Sequence, residues 1–128
     1  MSYPTNYRYT KDHEWAKADG NVITVGITDH AQSALGDVVF VELPKIGREL
    51  KFHETFGVVE SIKAVSDLYS PVAGKVVEVN SKLIDDPAAL NRDAHGSAWL
   101  MKIEVASPAV LQELLDAAAY QALIATLK

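Results

Sequence analysis

Gly57-Val58-Val59-Glu60-Ser61-Ile62-Lys63-Ala64-Val65-Ser66-Asp67-Leu68-Tyr69-Ser70-Pro71-Val72-Ala73-Gly74 is the stretch on which the reading of this chain turns. Two runs of strand-favouring residues, Gly57 to Val59 and Leu68 to Val72, enclose a short polar segment with one lysine at its centre. β-Branched and aromatic residues bounded by Gly and Pro predict a hairpin. Lys63 then falls at or beside the turn, where a side chain projects into solvent. A lysine so placed is either an ordinary solvated turn residue or the anchor for a long arm attached by a modifying enzyme. Its neighbours decide between the two.

Outward from the hairpin, the chain predicts a mostly-β molecule. Tyr7-Arg8-Tyr9-Thr10 and Glu14-Trp15-Ala16 predict short strands around Lys11-Asp12-His13. Asp19-Gly20-Asn21 is a turn signal, and Asn21 to Ile27 is strand by β-branched content. Thr28 or Asp29 caps a short helix carrying Ala31, Ala34 and Leu35, which Gly36 ends with a positive φ. Asp37 to Pro44 is a strand closed by proline; Lys45 to Glu49 is a surface turn; Leu50-Lys51-Phe52 leads back toward the hairpin. Gly36-Asp37-Val38-Val39-Phe40-Val41 and Gly74-Lys75-Val76-Val77-Glu78-Val79 share the pattern Gly-x-Val-Val-x-Val, 38 positions apart. Two similar β halves with the lysine between them would suit a flattened, pseudo-symmetric barrel.

Beyond that point, a short helix is expected from Asp85 to Leu90 with Pro87 in its first turn. A loop follows over Asn91 to Ala98, then an alternating strand from Trp99 to Val105. Ser107-Pro108 opens a helical region in which Val110, Leu111, Leu114, Leu115 and Ala118 recur at helical spacing. Asp116 would cap a second helix carrying Leu123 and Leu127, so the tail reads as one helix or two.

The 128 residues form one domain by length, with a core over roughly 7–105 and a helical segment over 107–127. A net charge of −5 argues against non-specific nucleic-acid binding, which needs clustered Lys and Arg. The apolar runs fall short of a membrane span. With no Cys there is no disulfide, thiolate metal site or thiol nucleophile, so redox chemistry would have to come from an attached group. His13, His30, His53 and His95 are scattered without metal-ligand spacing. Met1-Ser2-Tyr3-Pro4-Thr5 lacks the regions of a secretory signal, which points to the bacterial cytoplasm, or the mitochondrial matrix for a processed protein.

Glu60-Ser61-Ile62-Lys63-Ala64 with Ser66-Asp67-Leu68-Tyr69-Ser70-Pro71-Val72-Ala73-Gly74 closely resembles the lipoyl-attachment segment of the H proteins of the glycine cleavage system. Matching blocks run in order along nearly the whole chain: His13-Glu14-Trp15, Val25-Gly26-Ile27-Thr28, Ala31-Gln32, Leu35 to Val39, Val41-Glu42-Leu43-Pro44, Gly47, Val77-Glu78-Val79-Asn80, Trp99 and Leu114-Leu115-Asp116. The resemblance implies the lipoyl-domain fold, a flattened barrel-sandwich hybrid with short helices and a C-terminal helical segment. It implies lipoate covalently bound to Lys63, with Glu60 and Gly74 helping the lipoylating enzyme. It implies a non-catalytic carrier that takes an aminomethyl group from glycine decarboxylase, a pyridoxal-phosphate enzyme called the P protein. That group passes to the tetrahydrofolate-dependent T protein, and the dithiol is reoxidised by the flavoprotein dihydrolipoamide dehydrogenase, the L protein.

Residues matching Glu14, Ser66, Asp67 and Tyr69 border the cleft where the loaded arm rests in that family. Acids suit the site chemically, because a carboxylate keeps the arm's amine protonated and so unable to expel the thiolate. A lipoyl or octanoyl donor for other enzymes, or an unmodified interaction domain, would be the alternatives. Met101-Lys102-Ile103 resembles a biotin-carrier core, yet Lys102 alternates within a strand without flanking turn residues and is read as a strand lysine. One departure concerns the family's Pro-Tyr-Gly before the tryptophan, where this chain has Ala94-His95-Gly96-Ser97-Ala98-Trp99.

Overall fold

The computed structural model describes residues 3–127. Among these residues nine strands form two antiparallel sheets. One has six strands in the order β1-β2-β3-β9-β8-β5, namely Arg8–Tyr9, Glu14–Asp19, Val22–Ile27, Met101–Glu104, Gly74–Val79 and Glu49–Leu50. The other has three, β4-β6-β7: Val38–Glu42, Thr55–Ser61 and Val65–Tyr69. The sheets share one apolar core without closing into a barrel. Val41, Phe56, Val59 and Leu68 from the small sheet meet Ile23, Val25, Val76, Met101 and Ile103 from the large one, all 3% exposed or less.

The repeated pattern has a physical counterpart. β4 pairs with β6 through Val38↔Ser61 and Phe40↔Glu60, and β8 pairs with β9 through Val76↔Ile103 and Glu78↔Lys102. Each ladder carries an irregularity at the same place in the repeat, at Val39 and at Val77, and both valines are pushed outward while Val38 and Val76 stay buried. The shared residues thus encode the same bulged strand once in each sheet.

Local signals set most boundaries. Asp29–Leu35 forms α1, with Thr28 as its cap accepting the Ala31 N–H, and Gly36 ends it at φ 80°. The hairpin arms are longer at the turn than the β-branched runs suggested. β6 extends to Ser61 and β7 begins at Val65, whereas Ser70 to Ala73 lies outside the strand because Pro71 has no N–H to donate.

One expectation fails, and one is met only in part. The helix expected over Asp85 to Leu90 is replaced by two short helices, α2 (Lys82–Asp85) and α3 (Ala89–Arg92). Pro87 restricts the residue before it, and Asp86 accordingly leaves helical geometry at φ −140°, ψ 68°. Leu83 and Leu90, one from each helix, are buried. The C-terminal run is a 3-10 helix, Pro108–Glu113, followed by α4, Ala117–Ala125. Leu115 between them is extended and exchanges two backbone hydrogen bonds with Tyr9, at 2.8 and 2.9 Å. Pairing with β1 therefore overrides the helical spacing of Leu111, Leu114 and Leu115. Asp116 caps α4 by accepting the Ala119 N–H. That helix docks through Ala117 and Tyr120, the latter stacked on Tyr9 at 4.9 Å, while Ala118 is exposed.

Candidate functional site

The turn between β6 and β7 is Ile62-Lys63-Ala64. Ser61 organises it. Its N–H donates to the Ala64 carbonyl at 2.8 Å, and its hydroxyl oxygen accepts the N–H groups of Lys63 and Ala64 at 3.3 and 3.1 Å. The Ile62 N–H donates to the Asp37 carbonyl at 3.2 Å, tying the tip to the segment that leads out of α1. Lys63 itself is exposed, and among the described residues no ion pair involves it. Its stem passes Gly36, where an added Cβ would lie 3.5 Å from Lys63 Cε. A displayed primary amine on a fixed turn fits a covalently attached arm. Lys102 differs in every respect. It is half-buried in β9, its Nζ lies 5.0 Å from the Trp99 ring centroid, and it pairs with Glu78 at 3.8 Å.

The outer face of the small sheet flanks the turn. Register places Phe40, Glu60 and Val65 in one row and Glu42, Val58 and Asp67 in the next. Apolar and acidic side chains thus alternate in both directions, and Phe40 and Val65 are 45% and 68% exposed. Ile62 at the tip is 74% exposed. Ser66 points inward beside Val59, so the structure separates it from Asp67 by one face of the strand.

Glu14 is buried, at 2% exposed. One carboxyl oxygen accepts the Tyr69 N–H at 3.2 Å and the other accepts the Thr10 hydroxyl at 2.6 Å. Glu14 and Tyr69 therefore do meet, through a side chain of the large sheet that takes up an outward amide at the edge of the small one. Burial pushes the Glu14 carboxyl up to about 8, against the pull of its two hydrogen bonds. The ionised carboxylate expected at this position is thus held neutral near pH 7. Glu14 lines a cavity of about 210 Å³ together with Thr10, Asp12, Phe52, His53 and Leu114; Ser66, Asp67 and Tyr69 lie outside that lining.

Two residues at this cavity carry no site signal in the sequence. His53, at φ 67°, stacks on Tyr69 at 4.6 Å and pairs with the Asp12 carboxylate at 2.7 Å. Nothing in the sequence brings residues 41 positions apart together. Thr10 was within reach, since a threonine whose hydroxyl accepts the N–H groups of Asp12 and Glu14 is a standard turn device.

Gly74 opens β8, where an added Cβ would collide with the Glu104 carbonyl oxygen and the Ile103 side chain. The altered loop is well anchored. The Ala94 carbonyl accepts the Trp15 indole N–H at 2.9 Å, the His95 carbonyl accepts the Tyr7 hydroxyl at 2.6 Å, and His95 Nε2 accepts the Asp29 N–H at the start of α1 at 2.9 Å. Among the described residues no group of His, Asp and Glu is placed to hold a metal ion. No described helix is long and apolar enough to cross a membrane.

The profile of the glycine cleavage H-protein family matches residues 7–127. The chain belongs to that family. A glycine cleavage system H protein of Symbiobacterium thermophilum is 59% identical over 119 residues, 93% of each chain. That of Chlorobium limicola is 57% identical, covering 97% of this chain and 98% of its own. The crystal structure of a glycine cleavage system H protein from Mycobacterium marinum superposes with a TM-score of 0.89 at 40% identity, covering 96% of this chain and 99% of that one. The fold is therefore the lipoyl-domain type with a C-terminal helix that the H-protein family carries.

Proposed function

We propose that this chain is a lipoyl carrier of the glycine cleavage system, with lipoate joined by an amide to Lys63 Nζ. The observation that carries the reading is the exposed amine, in no ion pair among the described residues, on a turn whose backbone is fixed from both sides by Ser61 and Asp37. When bound, the group supplies a ring disulfide that can be opened to carry a one-carbon unit and closed again by oxidation. The protein's own part is to present, shelter and hand over. Tethering makes each encounter effectively intramolecular.

The partners are glycine decarboxylase with pyridoxal phosphate, the tetrahydrofolate-dependent aminomethyltransferase, dihydrolipoamide dehydrogenase with FAD, and the lipoylating enzyme. They supply the catalysis. Bacterial relatives support a place in the bacterial cytoplasm. Glu60 lies on the displayed face next to the turn and is assigned to recognition by the lipoylating enzyme. Gly74 serves that recognition indirectly, by allowing β8 to lie close to β9. Glu14, Ser66, Asp67 and Tyr69 are assigned to sheltering the arm. Glu14 acts there as a proton reservoir: a cation beside its neutral carboxyl favours the ionised form, so the proton leaves as the charges pair.

Wild-type protein incubated with a lipoate–protein ligase, ATP and lipoate is expected to gain one lipoyl-sized mass increment and to support glycine-dependent turnover with the three partner enzymes. Lys63→Arg is expected to gain none and to support no turnover, while Lys102→Arg behaves as wild type. An increment that survives Lys63→Arg rules the assignment out.

A further inference from the structure

The tip of the lysine turn does not stand on the hairpin alone. Its Ile62 N–H is held by the carbonyl of Asp37, in the short connection between α1 and β4. That connection has little support from the sheet. The bulge at Val39 separates the Val38↔Ser61 pair from the regular ladder that begins at Phe40. Gly36, at φ 80°, adds no side chain to pack.

One side chain makes up the deficit. Asn91, in α3, accepts the Val38 N–H on Oδ1 at 2.9 Å and donates from Nδ2 to the Gly36 carbonyl at 2.8 Å and to Gln32 Oε1 at 3.0 Å. It therefore grips the residues on either side of Asp37, and the helix preceding them, with both amide protons and its oxygen. Its own place is fixed because the adjoining Leu90 is fully buried. The path from α3 to the lysine is short: Asn91, the Gly36–Val38 connection, Asp37 carbonyl, Ile62 amide, Lys63.

We propose that Asn91 is a positioning residue for lipoylation, setting the pose in which the Lys63 amine meets the modifying enzyme. The inference rests on the carrier reading above. In the step it governs, the Lys63 nitrogen attacks the acyl carbon of lipoyl adenylate, an amide bond forms, the acyl–phosphate bond breaks with departure of AMP, and the amine gives up a proton. A turn whose tip wanders offers the nitrogen in the attacking pose less often, and small misplacements are costly for such reactions.

The test compares unmodified wild type, Asn91→Ala, Asn91→Asp and Leu111→Ala. Leu111→Ala is a core truncation in the C-terminal 3-10 helix that leaves the clamp intact. Two quantities are read: amide hydrogen exchange at Ile62, and the initial rate of lipoylation by ligase, ATP and lipoate at a temperature where every variant is folded. Asn91→Ala is expected to speed Ile62 exchange and to lower the lipoylation rate about tenfold. Asn91→Asp keeps the Val38 acceptor but sets oxygen against the Gly36 carbonyl, so it is expected to show the same two changes even if the alanine variant does not fold. Leu111→Ala is expected to lose thermal stability with neither change. Wild-type rates in the Asn91 variants would overturn the inference, as would an equal slowing in Leu111→Ala. Wild-type protein that accepts no lipoyl group would overturn the carrier reading and this inference together, and no other outcome does both.

Discussion

A carboxyl group 2% exposed, gripped by a threonine hydroxyl and a strand amide, titrates far from a surface glutamate. Glu14 loses its proton near pH 8 in the folded protein against an ordinary value of 4.5. The unfolded chain therefore ionises first. The contribution of Glu14 to stability is fully present below about pH 4.5 and is lost as pH rises through 8. Glu14→Gln removes this titration, and denaturant melts are expected to show it gaining on the order of 4 kcal/mol on wild type between pH 5 and pH 9. An unchanged difference at the two pH values would contradict the burial account. The glutamate could be singled out from the sequence; its burial could not. Burial comes from the other sheet and from residues such as Leu114, which no local pattern connects to His13-Glu14-Trp15.

Among the elements, α1 is held at both ends by side chains from the segment after β8. Asn91 grips its C-terminus and His95 its first amide. Because His95 Nε2 accepts a hydrogen bond, it must be unprotonated there. Burial lowers its pKa, against the opposing carboxylates of Asp29 and Asp93. His13, whose Nδ1 meets the Tyr120 hydroxyl at 2.7 Å, is lowered for the same first reason and further by His30. For a histidine depressed in the folded state, the unfolded chain binds the proton first, so stability falls as pH drops below about 6.5. His95→Gln, which keeps an acceptor for the Asp29 N–H without titrating, is expected to shallow the decline in melting temperature between pH 6.5 and 5. A decline as steep as wild type would place the sensitivity elsewhere. The caps at Thr28 and Asp116 and the stop at Gly36 were readable because each is a local bond or a local φ. The break at Leu115 was not, since its partner Tyr9 is a strand at the far end of the chain.

At the scale of the molecule, the two bulged repeats explain why a short pattern was informative. Gly-x-Val-Val-x-Val specifies a buried valine, an expelled one and a return to register, and both copies do this. The pairing of copies with sheets could not be read, because sheet membership depends on long-range partners such as β3 with β9. Gly74 belongs to this level. Its missing Cβ lets β8 lie against the Glu104 backbone, so Gly74→Ala is expected to destabilise the fold by about 2 kcal/mol or more, read in a thermal or urea melt. Full stability together with lost lipoylation would instead make Gly74 a direct contact of the ligase.

β7 runs from the lysine turn to Tyr69, one residue before Ser70 of the Glu14 cavity lining, and forms an open border of the small sheet. Exposed borders of this kind recruit strands from neighbouring molecules. Here Glu14 already occupies the outward amide of Tyr69, so a second copy finds that position taken. Pairing with another molecule along this border is thereby hindered by a side chain of the protein's own large sheet, already in place before any encounter.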